Sequence, residues 1–330
     1  MLFFPLMIIS LMLILICNSW FSFWMVMEIN LISFLMLLIF DNNIKNELFM
    51  NYFLIQSFNS YLFLMSSFMM NYSMFYMMSF ILMMNLSILT KLGLPPFYIW
   101  YLKMMKNLNW SNLFILSILQ KLIPLFIMMM MMNMMIKNLF ILNLFMLIFF
   151  SLIIVVLGMN QLNLKLLMAY SSIIQMIWML MLMYLNENYF LMYFMIYLFI
   201  FISLVMIFLK MNYLELIDFS MMKFNNKLMY LFCMLLMMSL GGVPPLMGFL
   251  MKWISIQLMS NYYMLFMILL MIINSLISMF FYFRLMFISL MNYSYTMKLN
   301  LKYLKLNNLN MNFLFLMWMS MMMLMLYELI

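Results

Sequence analysis

The chain has 330 residues, 71% of them hydrophobic and only 7% charged, with a formal net charge of +8. A soluble domain carries roughly 25% charged residues, and its surface grows too slowly with size to hide this much apolar area. A water-soluble globule is therefore excluded, and lipid is the solvent that suits the sequence. The positive balance is no nucleic-acid signal either, because most basic residues sit in loops between apolar runs, as at the inner face of membrane proteins.

The residue bias carries coding information. There are 58 Met, 36 Phe and 20 Tyr, but one Ala (Ala169) and one Arg (Arg284). Codons rich in A and T, with ATA read as Met, account for this pattern and point to a mitochondrial gene. Met128–Met132 accordingly reads as compositional drift rather than as a metal site. The chain starts directly on an apolar run with no Arg-rich presequence, so insertion during organellar synthesis is expected. Cys17 and Cys233 lie far apart in apolar runs and read as small buried hydrophobes.

A spanning helix needs about 20 apolar residues. Taken in chain order, the apolar runs predict eleven spans, an all-α polytopic bundle: 2–18, 22–40, 49–70, 76–105, 111–132, 138–159, 166–185, 188–210, 228–258, 262–290 and 311–327. Residues 1–330 form one transmembrane domain on this reading. Residues 1–132 are its first half, with a first inverted repeat, and 138–290 a second. Residues 291–330 are a matrix-side loop and a C-terminal helix. Lys45, Lys103, Lys106, Lys165, Lys223, Lys227, Lys298, Lys302 and Lys305 fall in or beside even-numbered connections. The basic side is the inner one, which predicts an N-terminus in the matrix and a C-terminus in the intermembrane space.

The fourth and ninth spans are interrupted by matching motifs, Gly93-Leu94-Pro95-Pro96 and Gly242-Val243-Pro244-Pro245. The two motifs lie five spans apart, an odd number, so the two copies run in opposite directions. Inverted repeats with Gly/Pro-broken helices are the architecture of ion transporters. Proline removes a backbone donor and frees a carbonyl, which lipid tolerates only where protein or water satisfies it. Pro124 predicts a further break in the fifth span.

Four ionisable residues lie where no interface is within easy reach: Glu28, Lys91, Lys121 and Lys252. A charge at the bilayer centre costs about 2.5–3.5 kcal/mol on insertion scales, and such residues usually face a bundle interior or a hydrated path. Glu28 reads either as a helix-end carboxylate among interfacial tryptophans or as a proton carrier. Lys91, just before its break, and Lys121, midway along the fifth span, favour a functional role over snorkelling. Lys252 follows the second break; its repeat mate, Lys103, reads as a snorkelling residue. Arg284 and Lys210 lie near helix ends, where snorkelling suffices; Lys165 is ambiguous. The proton affinity of lysine responds to burial and to neighbouring charge, whereas arginine stays charged, so buried lysines with one glutamate suit proton transfer. The sequence has no His. Haem ligation by His and His-based zinc or copper sites are thereby excluded, two Cys cannot hold an iron–sulfur cluster, and no nucleotide-binding fingerprint appears.

The stretches Met27-Glu28-Ile29-Asn30-Leu31, Thr90–Trp100, Gln120-Lys121-Leu122-Ile123-Pro124-Leu125, Met168–Ile173 and Leu240–Trp253 resemble the NADH dehydrogenase subunit 2 family, in its order and spacing. The resemblance implies an antiporter-like subunit in the membrane arm of respiratory complex I, taking part in proton translocation coupled to electron transfer from NADH to ubiquinone. It implies a Glu28–Lys91 pair, a central Lys121 and an outer-half Lys252. It further implies other complex I subunits as partners, and FMN, iron–sulfur clusters and ubiquinone held elsewhere in the complex, with no cofactor in this chain. The basic loops suit anionic headgroups such as cardiolipin. Many relatives have His where this chain has Tyr98 and Gln175, so a proton path through His at either place cannot operate here. A stand-alone cation/proton antiporter and a structural spacer of the membrane arm remain alternatives at this point.

Overall fold

The computed structural model describes residues 3–40, 46–70, 77–132, 134, 137–211, 227–244, 246–262 and 264–296. Its described residues are helical with short connections, and they carry no strand. The chain divides into two compact units, Met1–Leu147 and Ile148–Ile330, with the boundary inside one helix.

The first unit contains α1 (Phe3–Leu13), α2 (Trp20–Ile39), α3 (Asn46–Met70), α4 (Met77–Leu92), α5 (Ile99–Asn107), α6 (Trp110–Phe114) and α7 (Gln120–Met132). It closes with the first part of α8 (Lys137–Met159). Ser19 starts α2 with a capping box, its hydroxyl accepting from the Ser22 backbone while Ser22 returns a bond to the cap. Such a cap satisfies donors that a helix start otherwise leaves open. α3 packs along α4, α1 along α2, and α7 against both α2 and α4.

The second unit contains the rest of α8, then α9 (Leu164–Leu185), α10 (Glu187–Met211), α11 (Lys227–Gly241), α12 (Met247–Asn261) and α13 (Leu265–Thr296). α9 is its most enclosed element, buried almost without interruption from Leu164 to Met183. It packs against α10, α12 and α13. Asn274 on α13 donates to the Ser151 hydroxyl of α8 at 2.6 Å.

Among the described residues, six helices are long and apolar enough to cross a membrane: Trp20–Ile39, Trp110–Met132, Phe140–Met159, Leu164–Leu185, Glu187–Lys210 and Leu265–Phe287. Large apolar side chains such as Phe58, Leu142, Leu191 and Leu276 are exposed along the long helices. That is costly in water and natural where the neighbour is an acyl chain. The expected eleventh span, 311–327, and Pro245 lie outside the described residues.

The Gly-Pro-Pro motif of the fourth span ends one helix, α4 at Leu92, and the chain resumes as α5 at Ile99. The expectation for Pro124 needs correction, because α7 runs through it without a break. The irregularity sits one turn earlier, as a π-helical segment over Ile115–Leu119. Proline at 124 has no N–H, and its ring crowds the carbonyl four residues before it. A widened turn just upstream shifts that register and leaves the proline in the first turns of α7.

Candidate functional site: buried lysines beside broken helices

α4 carries Lys91 in its last turn, one residue from the helix end. Its side chain is only 8% exposed, and its Nζ lies 3.5 Å from the Met27 sulfur of α2. A thioether is a weak acceptor, so this contact orients the ammonium without neutralising it. Glu28, the next residue on α2, is half-buried; its Oε1 is buried and accepts no hydrogen bond, and its charge acts on Lys91. The two groups are thus electrostatic neighbours rather than a closed hydrogen-bonded pair.

Lys121, on the first turn of α7, is 3% exposed. Its Nζ stands over the Tyr101 ring at 4.3 Å, a cation–π contact that strengthens where water is excluded. Beside it, Gln120 and Asn30 exchange two amide hydrogen bonds, 3.0 and 3.2 Å long, tying α7 to α2. A cavity of about 20 Å³ lies among Asn30, Gln56, Lys91, Tyr101, Gln120 and Lys121. A polar cavity of that size admits a water molecule. The structure therefore brings Lys91 and Lys121 to one polar pocket inside the first unit, as neighbours of one cavity.

Lys252 belongs to the second unit, on α12, and is 6% exposed. Its Nζ donates to the Gly241 carbonyl at 2.7 Å. That carbonyl belongs to the last residue of α11, where helix carbonyls carry partial negative charge and lack helical partners. Gly242 follows with φ +83°, and a Cβ there would meet the Lys252 side chain at 2.9 Å. Glycine supplies both the left-handed turn and the space for the lysine.

Of the other expected features, Pro95 is buried, whereas Pro96 and Pro244 are exposed. Lys103 is exposed, and Tyr98 is the N-cap of α5 without a side-chain cap bond. Arg284 does more than snorkel: its guanidinium donates to the carbonyls of Met159 and Gln161, at and just beyond the end of α8. Lys165 is buried at the start of α9.

Sequence reasoning gave the amides no structural role, and met Gln175 only as a place where many relatives have His. Gln56 on α3 donates to the Lys91 carbonyl at 3.4 Å. Gln175 on α9 donates to the Leu240 carbonyl at 2.9 Å and accepts from the Tyr193 hydroxyl. A signal was available, since an uncharged amide in an apolar span costs free energy unless it finds a partner.

These features define a class: a helical membrane protein of the antiporter type, with broken helices and lysines buried beside the breaks. The chain belongs to the NADH:quinone oxidoreductase/Mrp antiporter TM family, whose model matches residues 17–278. It is 38% identical over 279 residues to NADH-ubiquinone oxidoreductase chain 2 of Rhipicephalus sanguineus, covering 84% of this chain and 85% of that one. Chain 2 of Anopheles gambiae is 34% identical over 290 residues, with 84% and 82% covered. The fold is similar to a chain of respiratory complex I from Thermus thermophilus, with a TM-score of 0.80 at 14% identity, covering 97% of this chain and 75% of that one. An archaeal membrane-bound sulfane sulfur reductase contains a similar chain, with a TM-score of 0.83 at 15% identity and 99% and 72% covered.

Proposed function

We propose that this chain is the chain 2 subunit of NADH:ubiquinone oxidoreductase, seated in the membrane arm of complex I in the mitochondrial inner membrane. There it takes part in proton translocation driven by electron transfer from NADH to ubiquinone. The observation that carries the reading is the placement of Lys91 and Lys121 at one small polar cavity, with Glu28 acting electrostatically on Lys91. Relatives more than 30% identical over about 84% of the chain carry the chain 2 name.

In this reading Glu28 and Lys91 are a switchable pair, Lys121 is the central relay and Lys252 the outward station. Within the first unit each group's charge biases the next, so protonation belongs to the set of Glu28, Lys91 and Lys121 rather than to single residues. The Met27 contact suits a switch, because a weak acceptor holds the Lys91 ammonium without trapping it. The breaks at Gly93 and Gly242 supply carbonyls inside the apolar region, as transporter folds do around their ion sites. The two breaks belong to two inverted repeats within about eleven spans, the N-terminus faces the matrix, and anionic lipids such as cardiolipin meet the basic loops. The chain carries no redox centre; FMN, iron–sulfur clusters and ubiquinone belong to partner subunits.

Native complexes resolved from mitochondrial membranes test this reading. The chain is expected to co-migrate with NADH-oxidising activity in a very large assembly. A chain found only free, or in a small oligomer without that activity, would overturn it and favour an independent cation/proton antiporter.

A further inference from the structure

Each broken helix ends with the same pair of backbone bonds, to which the second adds a 3.0 Å bond from the Gly242 N–H to the Met238 carbonyl. At the first break the Gly93 N–H bonds the Thr90 carbonyl at 3.1 Å and the Leu94 N–H the Leu89 carbonyl at 3.1 Å. At the second, the Gly242 N–H bonds the Ser239 carbonyl at 3.1 Å and the Val243 N–H the Met238 carbonyl at 3.2 Å. Both are Schellman closures around a positive-φ glycine, at +65° and +83°. The turns that follow also match, Phe97 to Leu94 at 2.8 Å and Leu246 to Val243 at 2.9 Å.

This closure leaves the carbonyls of the last helical residues without a backbone donor. Inside a membrane such carbonyls need a protein or water partner. Two residues before the glycine, the carbonyls are those of Lys91 and Leu240, and each receives a glutamine amide from another helix of its own unit. The donors are Gln56 Nε2 from α3 and Gln175 Nε2 from α9. The amide orientation is chemically fixed, since a carbonyl only accepts and the nitrogen must face it. For Gln175, that turns Oε1 toward the Tyr193 hydroxyl, which donates to it.

We propose that Gln56 and Gln175 are positioning residues of the two lysine sites, each pinning the end of a broken helix through one carbonyl. Gln56 holds the carbonyl of Lys91 itself. Gln175, oriented by Tyr193, holds the carbonyl next to the one that receives the Lys252 ammonium. An amide has no charge to lose at working pH. It holds the helix end in place while the lysine gains or loses its proton, so the Lys91 backbone at the first site and the Gly241 acceptor of Lys252 at the second do not drift with the lysine's own charge. The inference rests on the proposed relay.

The test uses the assembled complex, with protons moved per NADH oxidised measured on matched amounts of complex. Gln175→Leu is expected to lower that ratio to the level of Lys252→Met, and the double variant to fall no further, as for residues acting as one unit. Gln175→His, which keeps one N–H donor and one ring acceptor, is expected to retain the ratio. Gln56→Leu is expected to match Lys91→Met in the same way. If Gln175→Leu fails to assemble, Tyr193→Phe removes one hydroxyl and is expected to lower the ratio by a smaller amount. An unchanged ratio in Gln175→Leu, or in Tyr193→Phe where the leucine variant does not assemble, overturns the positioning role. An undiminished ratio in Lys252→Met overturns the relay reading beneath it instead.

Discussion

The breaks at Gly93 and Gly242 share one backbone device but place their lysines on opposite sides of it. Lys91 precedes its glycine, so its own carbonyl belongs to the helix end while its ammonium points away, to the sulfur of Met27. Lys252 follows its glycine, folds back over it and closes on the Gly241 carbonyl. In the first break the charge is left for neighbouring groups, among them Glu28. In the second, charge and helix end satisfy each other. One motif therefore supplies two kinds of lysine, one turned toward a cavity and one docked on a carbonyl.

The closures differ in tightness as well. The Thr90 carbonyl takes the Trp100 indole N–H at 2.9 Å, a side-chain lock. The equivalent Ser239 carbonyl is approached by backbone, and a Cβ on Gly248 would lie 1.7 Å from its oxygen. Gly248→Ala thus forces two helix backbones apart, where no flexible side chain can yield. The largest effect is expected here, a destabilisation of about 3 kcal/mol that depletes the assembled complex in native gels. Normal assembly of Gly248→Ala would mean that the second break is looser than its geometry implies.

The next largest effect is expected at the amide pair that braces the first site. Gln120→Leu leaves the buried Asn30 amide without its two bonds, a cost of about 1–3 kcal/mol for unsatisfied buried groups. The midpoint of thermal inactivation should fall. Asn30→Leu combined with Gln120→Leu should recover part of the loss, because removing both partners is cheaper than orphaning one. A double variant less stable than either single one would contradict the bracing role.

Much of this layout was legible in the sequence, for identifiable reasons. The length of the apolar runs announces helices, and Gly-Pro-Pro announces a helix end because proline cannot continue the ladder. Lys91, Lys121 and Lys252 stood out because charge in an apolar run is costly. The π segment at Ile115–Leu119 was not legible, since Ile, Leu and Ser carry no local mark of a widened turn. The Gln56 and Gln120 contacts were hidden for another reason, because each joins two different helices, with partners 35 and 90 positions apart. Arg284 likewise reads as a helix-end cation until the carbonyls of Met159 and Gln161 are brought to it.

The smallest effect is expected at Met27. Met27→Leu conserves volume and removes only a weak acceptor, so stability should change by about 1 kcal/mol or less. The same substitution leaves the Lys91 ammonium to Glu28 and the cavity. A large fall in the thermal midpoint would show that the thioether contact carries more of the site than a weak acceptor can explain.

The central claim is that the buried lysines move protons rather than merely pack. Its most direct test is the proton-to-electron ratio of complex carrying Lys121→Met, a substitution that keeps length and apolar volume and removes the charge. The account predicts normal assembly with a lowered ratio. An assembled complex whose ratio is unchanged would contradict it.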